Sequence, residues 1–343
     1  MRTELRMSWG RARLRIEARS LALASALLAL LLVLAWLSLS SGTIRLSAGR
    51  IWEALAGGSP DSADSRIVLG LRLPRVAAGL AVGLALGASG AAFQSISRNP
   101  LGSPDVIGFT TGAATGAVVH IVVFGASGRA ASAGAIASGM ATALLVYWLA
   151  RADRRTGSYR LILVGVGVSA FLGALNTLIL ARGDIDLAVR ARVWLSGSLN
   201  AVTWEGAGPT IAVVALVLPV LAGLACRLDV LEMGDDQASQ LSVRPERLRI
   251  AAMLAGVVLT ASAVAAAGPI AFVALVAPQA TARITRASRV QVVLSGLTGA
   301  VLLMSADLLS MRAPVQLPLP VGLVTGLLGG VYLLFLLARF EDV

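Results

Sequence analysis

The feature that most constrains this chain is a series of apolar runs, each about as long as a bilayer is thick, separated by short polar stretches. A helix needs roughly 20 predominantly apolar residues to cross the hydrocarbon core. Runs of that order stand at 21–39, 76–94, 105–124, 132–150, 161–181, 209–226, 250–267, 290–306 and 320–338. They form long apolar blocks rather than the stripes of a soluble bundle. A tenth run, 270–282, is too short to cross alone and follows the breaker pair Gly268-Pro269. It is expected to be a broken or re-entrant helix, tolerated where protein or a water-filled cavity satisfies the released backbone. Only 14% of the 343 residues are charged, against about a quarter in ordinary domains, which leaves little material for a wetted surface. The predicted fold is therefore all-α: one membrane domain over 21–338 with about ten transmembrane helices, an Arg-rich arm over 1–20 and a tail over 339–343.

The net charge of +11 comes from arginine, because the sequence contains no lysine. Arg2, Arg6, Arg11, Arg13, Arg15 and Arg19 crowd the arm. Alternate loops then carry Arg151, Arg154, Arg155 and Arg160, next Arg227, Arg244, Arg247 and Arg249, and finally Arg283, Arg286 and Arg289. Intervening loops are poorer, such as 125–131 with Arg129 alone. The positive-inside bias places the basic side, and with an even number of crossings both termini, in the cytoplasm. The arm and first run also have the outline of a secretory signal, but the run is long enough to span and more spans follow. Scattered arginines with few aromatics beside them offer no stacking platform, which argues against nucleic acid. The single Cys226 excludes an internal disulfide framework and a cysteine-based metal cluster.

Gly79, Gly83, Gly87 and Ala91 recur every four residues in the second run, as Gly108, Gly112 and Gly116 do in the third. Smooth faces of this kind let helix backbones approach closely in lipid. Polar groups at membrane depth are expensive and few. Gln94 ends the second run before Ser95, Ser97, Arg98 and Asn99-Pro100, Asn176 lies inside the fifth, and Asp307 closes the ninth. Asn176 suits helix-to-helix hydrogen bonding or a pathway lining equally. His120 is the sole histidine and has no carboxylate near it in sequence, so a catalytic triad or histidine metal site has little to build on. Asp184 and Asp186, beside Arg182, Arg190 and Arg192, read as a solvated cluster.

A phosphate-gripping loop of the Walker type needs a lysine, and this chain has none. ATP-driven transport would therefore need a hydrolysing subunit on another polypeptide. The stretch 227–249, RLDVLEMGDDQASQLSVRPERLR, is a long polar interruption that could receive one. Gly234 and Pro245 punctuate it in a way that suits two short helices at an angle, with Leu231, Ala238 and Leu241 as apolar points. On composition alone an ordinary solvated loop fits as well.

Several stretches together resemble one family, the FecCD/BtuC-like permeases of type II ATP-binding-cassette importers, which take up iron–siderophore complexes, haem and vitamin B12. They are LRLPRVAAGLAVGLALGASGAAFQSISRNPLGSPDVIGFTTGAATG (71–116), VWLSGSL (193–199), LEMGDDQASQLSV (231–243), GPIAFVALVAP (268–278), and SADLL followed by LPVGLVTGLLGG (305–330). The resemblance implies ten helices per subunit, with a second permease subunit, identical or different, around a central pathway. It further implies two ATPase subunits using ATP and magnesium below, and a periplasmic or lipid-anchored binding protein above. This chain itself would bind no cofactor and no metal. A ferric siderophore is the expected cargo, haem or cobalamin the alternative within the family, and an ion-coupled secondary carrier the alternative outside it. By the same resemblance Arg72, Arg75 and Arg312 would meet acidic residues of the binding protein; for Arg72 and Arg75, a charge snorkelling from a helix start is the plainer alternative. Gly234, Asp235, Asp236, Ala238 and Leu241 would couple to the ATPase, and Gln94, Asn99, Ser158, Tyr159 and Asn176 would line or gate the pathway. The sequence departs from the family pattern at Gln279, where a histidine is usual, and at Met311-Arg312, where the arginine is displaced by one. The polar loop 57–66 matches nothing assignable.

Overall fold

A computed structural model of the chain describes residues 4–9, 12–42, 44–58, 62–105, 107–126, 128–152, 155–156, 158–200, 202–312 and 319–340, with side chains over 18–151 and 160–335 of those ranges. In chain order the helices are α1 (Ala18–Ser40), α2 (Ala48–Leu55), α3 (Ala63–Ile67), α4 (Leu73–Ser97), α5 (Phe109–Val118), α6 (Arg129–Ala150) and α7 (Ser158–Arg182). They continue as α8 (Ile185–Leu195), α9 (Trp204–Glu232), α10 (Asp235–Gln240), α11 (Pro245–Ala267), α12 (Val273–Thr285), α13 (Val292–Arg312) and α14 (Val321–Phe340). Turns of wider π geometry at Val68–Arg72 and Val119–Val123 join α3 to α4 and extend α5. Among the described residues, strands are confined to two antiparallel hairpins. These are β1 (Glu4–Trp9) with β2 (Ala12–Glu17), and β3 (Arg151–Ala152) with β4 (Arg155–Thr156).

Seven helical stretches are long and apolar enough to cross a membrane, and Phe109–Val123 and Val321–Phe335 are shorter apolar helices. With the 13-residue α12 they account for the ten expected segments, so this is a multi-pass membrane protein. Segment ends differ from the sequence expectation where caps and turns set them. The second crossing starts at Ala63, where the Ser62 side chain caps the helix by accepting from the Ser65 N–H. The third starts at Phe109, after Gly108 turns the chain at φ 78°. Asp184 caps α8 by accepting from the N–H groups of Asp186 and Leu187, so the expected charge cluster is a helix start. The pair of short helices expected in 227–249 reduces to α10 alone, since α9 and α11 extend inward from either side.

The bundle is organised around α4, which is buried along nearly its whole length. A Cβ added at Gly79 would lie 2.7 Å from Met304 Sδ; at Gly83 and Gly87 it would fall on the backbone of Ala300 and Ser295. The glycine ladder is thus the face that packs on α13. Gly90, off that ladder, meets the backbone of Ala274 in α12. The second smooth face behaves alike, with Gly112 against Thr142 and Gly116 against Gly134 and Ser138 of α6. Gly87→Leu should therefore force α4 and α13 apart and lower stability by about 1–3 kcal/mol or more. Gly223→Ala on α9, where an added Cβ meets nothing within 4 Å, should be neutral or slightly stabilising. Thermal melting of the two purified variants checks the contrast.

Candidate functional sites at the two ends of the bundle

At the near end, where α4 begins, two arginines are engaged inside the chain. Arg72 is 9% exposed; its NH1 donates to the Leu39 carbonyl at 2.5 Å and its NH2 to the Ile44 carbonyl. It thereby fastens the end of α1 and the following loop to α4. Arg75 forms a side-on fork with Asp307 of α13, Nε to Oδ2 at 2.9 Å and NH2 to Oδ1 at 2.8 Å. Asp307 is 1% exposed, so the pair is a buried clamp across the helices that the glycine ladder brings together. Arg312, at the end of α13, is exposed and donates to Ser41 Oγ at 3.2 Å. A cavity of about 280 Å³ lies between these groups, lined by Ser41, Gly42, Arg72, Arg75, Asn200 and Met311 among others. Arg72 and Arg75 thus line one recess with their charged groups engaged inside the chain, and Arg312 bonds Ser41 at its edge.

The far end, where α4 finishes, holds the residues assigned to coupling. Gly234 takes φ 116°, a conformation that favours glycine, and lets the chain leave α9 and start α10 at once. Ala238 is fully buried beneath α10, whereas Leu241 is 59% exposed and Met233 60%. Asp236, Gln237 and Gln240 also face outward. Asp235 turns inward. Its Oδ1 accepts from Arg98 NH2 at 3.2 Å and from Arg249 NH2 at 3.0 Å. Arg249, only 2% exposed, also donates through NH1 to Glu246 Oε2 at 3.2 Å, and Tyr147 Oη bonds Glu246 Oε1 at 2.5 Å. One polar network therefore ties α10 to the last turn of α4, the start of α11 and the end of α6.

The expected pathway residues are dispersed. Gln94 donates from Nε2 to the Leu275 carbonyl at 2.9 Å, joining α4 to α12. Asn99 closes the turn after α4, its Oδ1 accepting from the Leu101 N–H at 2.9 Å. Asn176 is buried on α7, and its Oδ1 has no partner among the described residues. The side chains of Ser158 and Tyr159 lie outside the described residues. Gln94, Asn99 and Asn176 are not among the walls of the cavity of about 1030 Å³ between α6, α8, α9 and α11, which include Ile136, Met140, Trp194, Val213 and Val258. Gln279, the departure from the family pattern, has a structural role: its Nε2 donates to the Pro100 carbonyl at 2.7 Å and holds α12 to the loop after α4. His120 bonds the Gly116 carbonyl at 2.9 Å and stacks edge-on with Phe124. Among the described residues no group of three or more histidine, cysteine or acidic side chains could hold a metal ion.

Sequence reasoning missed the roles of Arg98, Tyr147, Glu246 and Arg249. A faint signal existed in Pro245-Glu246 followed by Arg249, a helix start with an acid and a base three residues apart.

Comparison with known proteins agrees with this architecture. The model of the FecCD transport family matches residues 30–339. The ferric enterobactin transport system permease protein FepG of Escherichia coli (strain K12) is 45% identical over 301 residues, covering 88% of this chain and 91% of that one. The achromobactin transport system permease protein CbrC of Dickeya dadantii (strain 3937) is 38% identical over 317 residues, covering 91% and 90%. A solved chain from an ABC transporter assigned to the metal-chelate type, in an inward-facing conformation, superposes with a TM-score of 0.81 at 28% identity, covering 93% of this chain and 99% of that one.

Removing one partner of a buried ion pair leaves an uncompensated charge and typically costs about 3–5 kcal/mol. Asp307→Asn should accordingly lower the melting temperature of the isolated permease with no other protein present. An unchanged melt would show that the Arg75–Asp307 clamp carries no stability.

Proposed function

The chain belongs to the FecCD transport family, and from that premise we propose that it is the permease subunit of an ATP-binding-cassette importer carrying a ferric siderophore across the cytoplasmic membrane. The observation that carries this reading is the small helix α10. It is braced from below by Asp235, while Asp236, Leu241 and Met233 are presented outward. A chain without lysine cannot form a Walker loop, so the energy source is a separate pair of ATPase subunits that bind ATP and magnesium and press on this helix. The siderophore assignment draws on FepG and CbrC, whose names specify ferric enterobactin and achromobactin.

Two features support further partners. Almost none of the α7 span is buried within the chain. Its Gly167 and Gly173, like Gly326 and Gly330 of α14, have open space where a Cβ would stand. Small residues on open helix faces favour close helix association in lipid, which fits a second permease subunit of the same or a related kind. At the near end, exposed Arg312 and the recess lined by Arg72 and Arg75 would meet acidic side chains of a binding protein, periplasmic or lipid-anchored. Charge complementarity at such a rim steers docking and register. The arginine-rich loops support a cytoplasmic position for both termini, including the 1–20 arm and the 339–343 tail. The membrane domain over 21–338 then forms a conduit that needs no metal ligand, because the chelator holds the iron.

The test is uptake by the reconstituted complex. Proteoliposomes holding permease, ATPase and binding protein should accumulate a ferric catecholate or carboxylate siderophore when ATP is present. Uptake that persists with a hydrolysis-dead ATPase would overturn the reading. Leu241→Asp should lower ATPase capture by at least about ten-fold, the scale of losing one interfacial hot spot, while membrane insertion stays normal. Undiminished capture would remove α10 from the interface.

A further inference from the structure

We propose that Arg249, a residue no partner protein can touch, positions the coupling helix by offering Asp235 two alternative seats, and so carries motion of α10 into the membrane bundle. The inference rests on the coupling role given to α10 above and deepens it.

Two other arginine–aspartate pairs, Arg75–Asp307 and Arg50–Asp64, allow a comparison with Arg249–Asp235. Arg75 grips Asp307 side-on, through Nε and NH2 to the two carboxylate oxygens. Arg50 grips Asp64 in the same way, at 2.5 and 2.9 Å. This two-bond fork is the strong geometry for a guanidinium and a carboxylate. Arg249 does not achieve it. Its NH2 alone reaches both oxygens of Asp235, at 3.0 and 3.3 Å. Its Nε is buried with no acceptor among the described residues, although a buried donor left unpaired is costly. Asp235 is held off that fork by a competing partner, since the same Oδ1 also accepts from Arg98 NH2.

A small shift of α10 along the Arg249 edge would bring a carboxylate oxygen onto Nε, complete the fork and release Arg98. Asp235 faces an arginine in either seat, so neither arrangement strands its charge. Such an element has two discrete settings rather than a continuous range, which is what transmission between distant sites requires. The consequence of changing seats reaches far. Arg98 is the left-handed cap of α4, its N–H bonded to the carbonyls of Gln94 and Ser95. The turn that follows it holds α12 through Gln279. Arg249 meanwhile remains fixed by Glu246, which Tyr147 of α6 secures. Releasing Arg98 would therefore free the end of α4, and the turn that leads to α12, from α10. Arg249 acts through Asp235 and Glu246, and at 2% exposure it makes no contact with a docked ATPase.

The test uses the complete importer in proteoliposomes and reads three quantities: ATPase retained, ATP hydrolysed and chelate moved per ATP. Arg249→Met should keep the ATPase bound and hydrolysing while chelate moved per ATP falls by about ten-fold, within the usual range of coupling between sites. Arg249→Lys keeps the charge without the fork and should restore transport only in part. Transport per ATP at the wild-type level in Arg249→Met would overturn the proposal, as would loss of assembly and transport in strict parallel. Should Arg249→Met fail to insert, Tyr147→Phe and a structure of the nucleotide-trapped wild-type complex decide instead. Tyr147→Phe should lower chelate moved per ATP with assembly intact, and no change would count against the network. In the trapped complex Asp235 should lie on Arg249 Nε and off Arg98; the seat seen here in both states would refute the switch. Wild-type uptake in the same vesicles keeps failure of this inference distinct from failure of the importer reading.

Discussion

Close backbone contact between α4 and α13 is the interaction on which the rest of the architecture depends. In lipid, apolar surface gives helices no reason to associate, so packing contacts and hydrogen bonds must do it. The ladder Gly79, Gly83 and Gly87 permits that contact by removing side chains from one face. With α13 against one face, α4 is left to receive α9, α11 and α12 on the others. The central position of α4 then fixes both of its ends, and each end becomes a platform for charged residues.

Charge placement follows the same logic. The buried carboxylate Asp307 and the buried guanidinium Arg249 each stand at an end of the bundle with an opposite charge in contact. Few ionisable groups interrupt the spans between them, as expected where unpaired charge is expensive. The near-end clamp unites two helices already packed together, so its effect is rigidity. The far-end network joins four elements that do not all pack tightly, and its Asp235 is shared between Arg98 and Arg249. A clamp at one end and a shared carboxylate at the other are compatible with the proposed conduit.

The ten membrane segments were legible in the sequence because lipid imposes length and apolarity on each crossing. The glycine faces were legible because helical spacing turns them into stripes. Helix ends were less so, since α3, α8 and the extensions of α9 and α11 depend on caps and turns such as Ser62, Asp184, Gly234 and Pro245 that run length does not report. At the candidate sites, the sequence and the family resemblance found the turn around Gly234 and Leu241. They could not reveal that Asp235 faces inward, because its partners Arg98 and Arg249 lie 137 and 14 residues away. The same holds for Arg75 and Asp307, separated by 232 residues: each was marked alone, and only the fold makes them a pair.

The central claim is that this chain converts no energy itself and changes shape when an ATPase acts on it from outside. Distance measurement between spin labels tests that most directly, after Cys226 is replaced by serine and cysteines are placed at exposed positions 185 and 323, at the starts of α8 and α14. In nanodiscs, ATP added to the permease alone should leave the distance distribution unchanged, and the same addition with the ATPase bound should shift it. A shift driven by ATP or by an ion gradient without that partner would contradict the account.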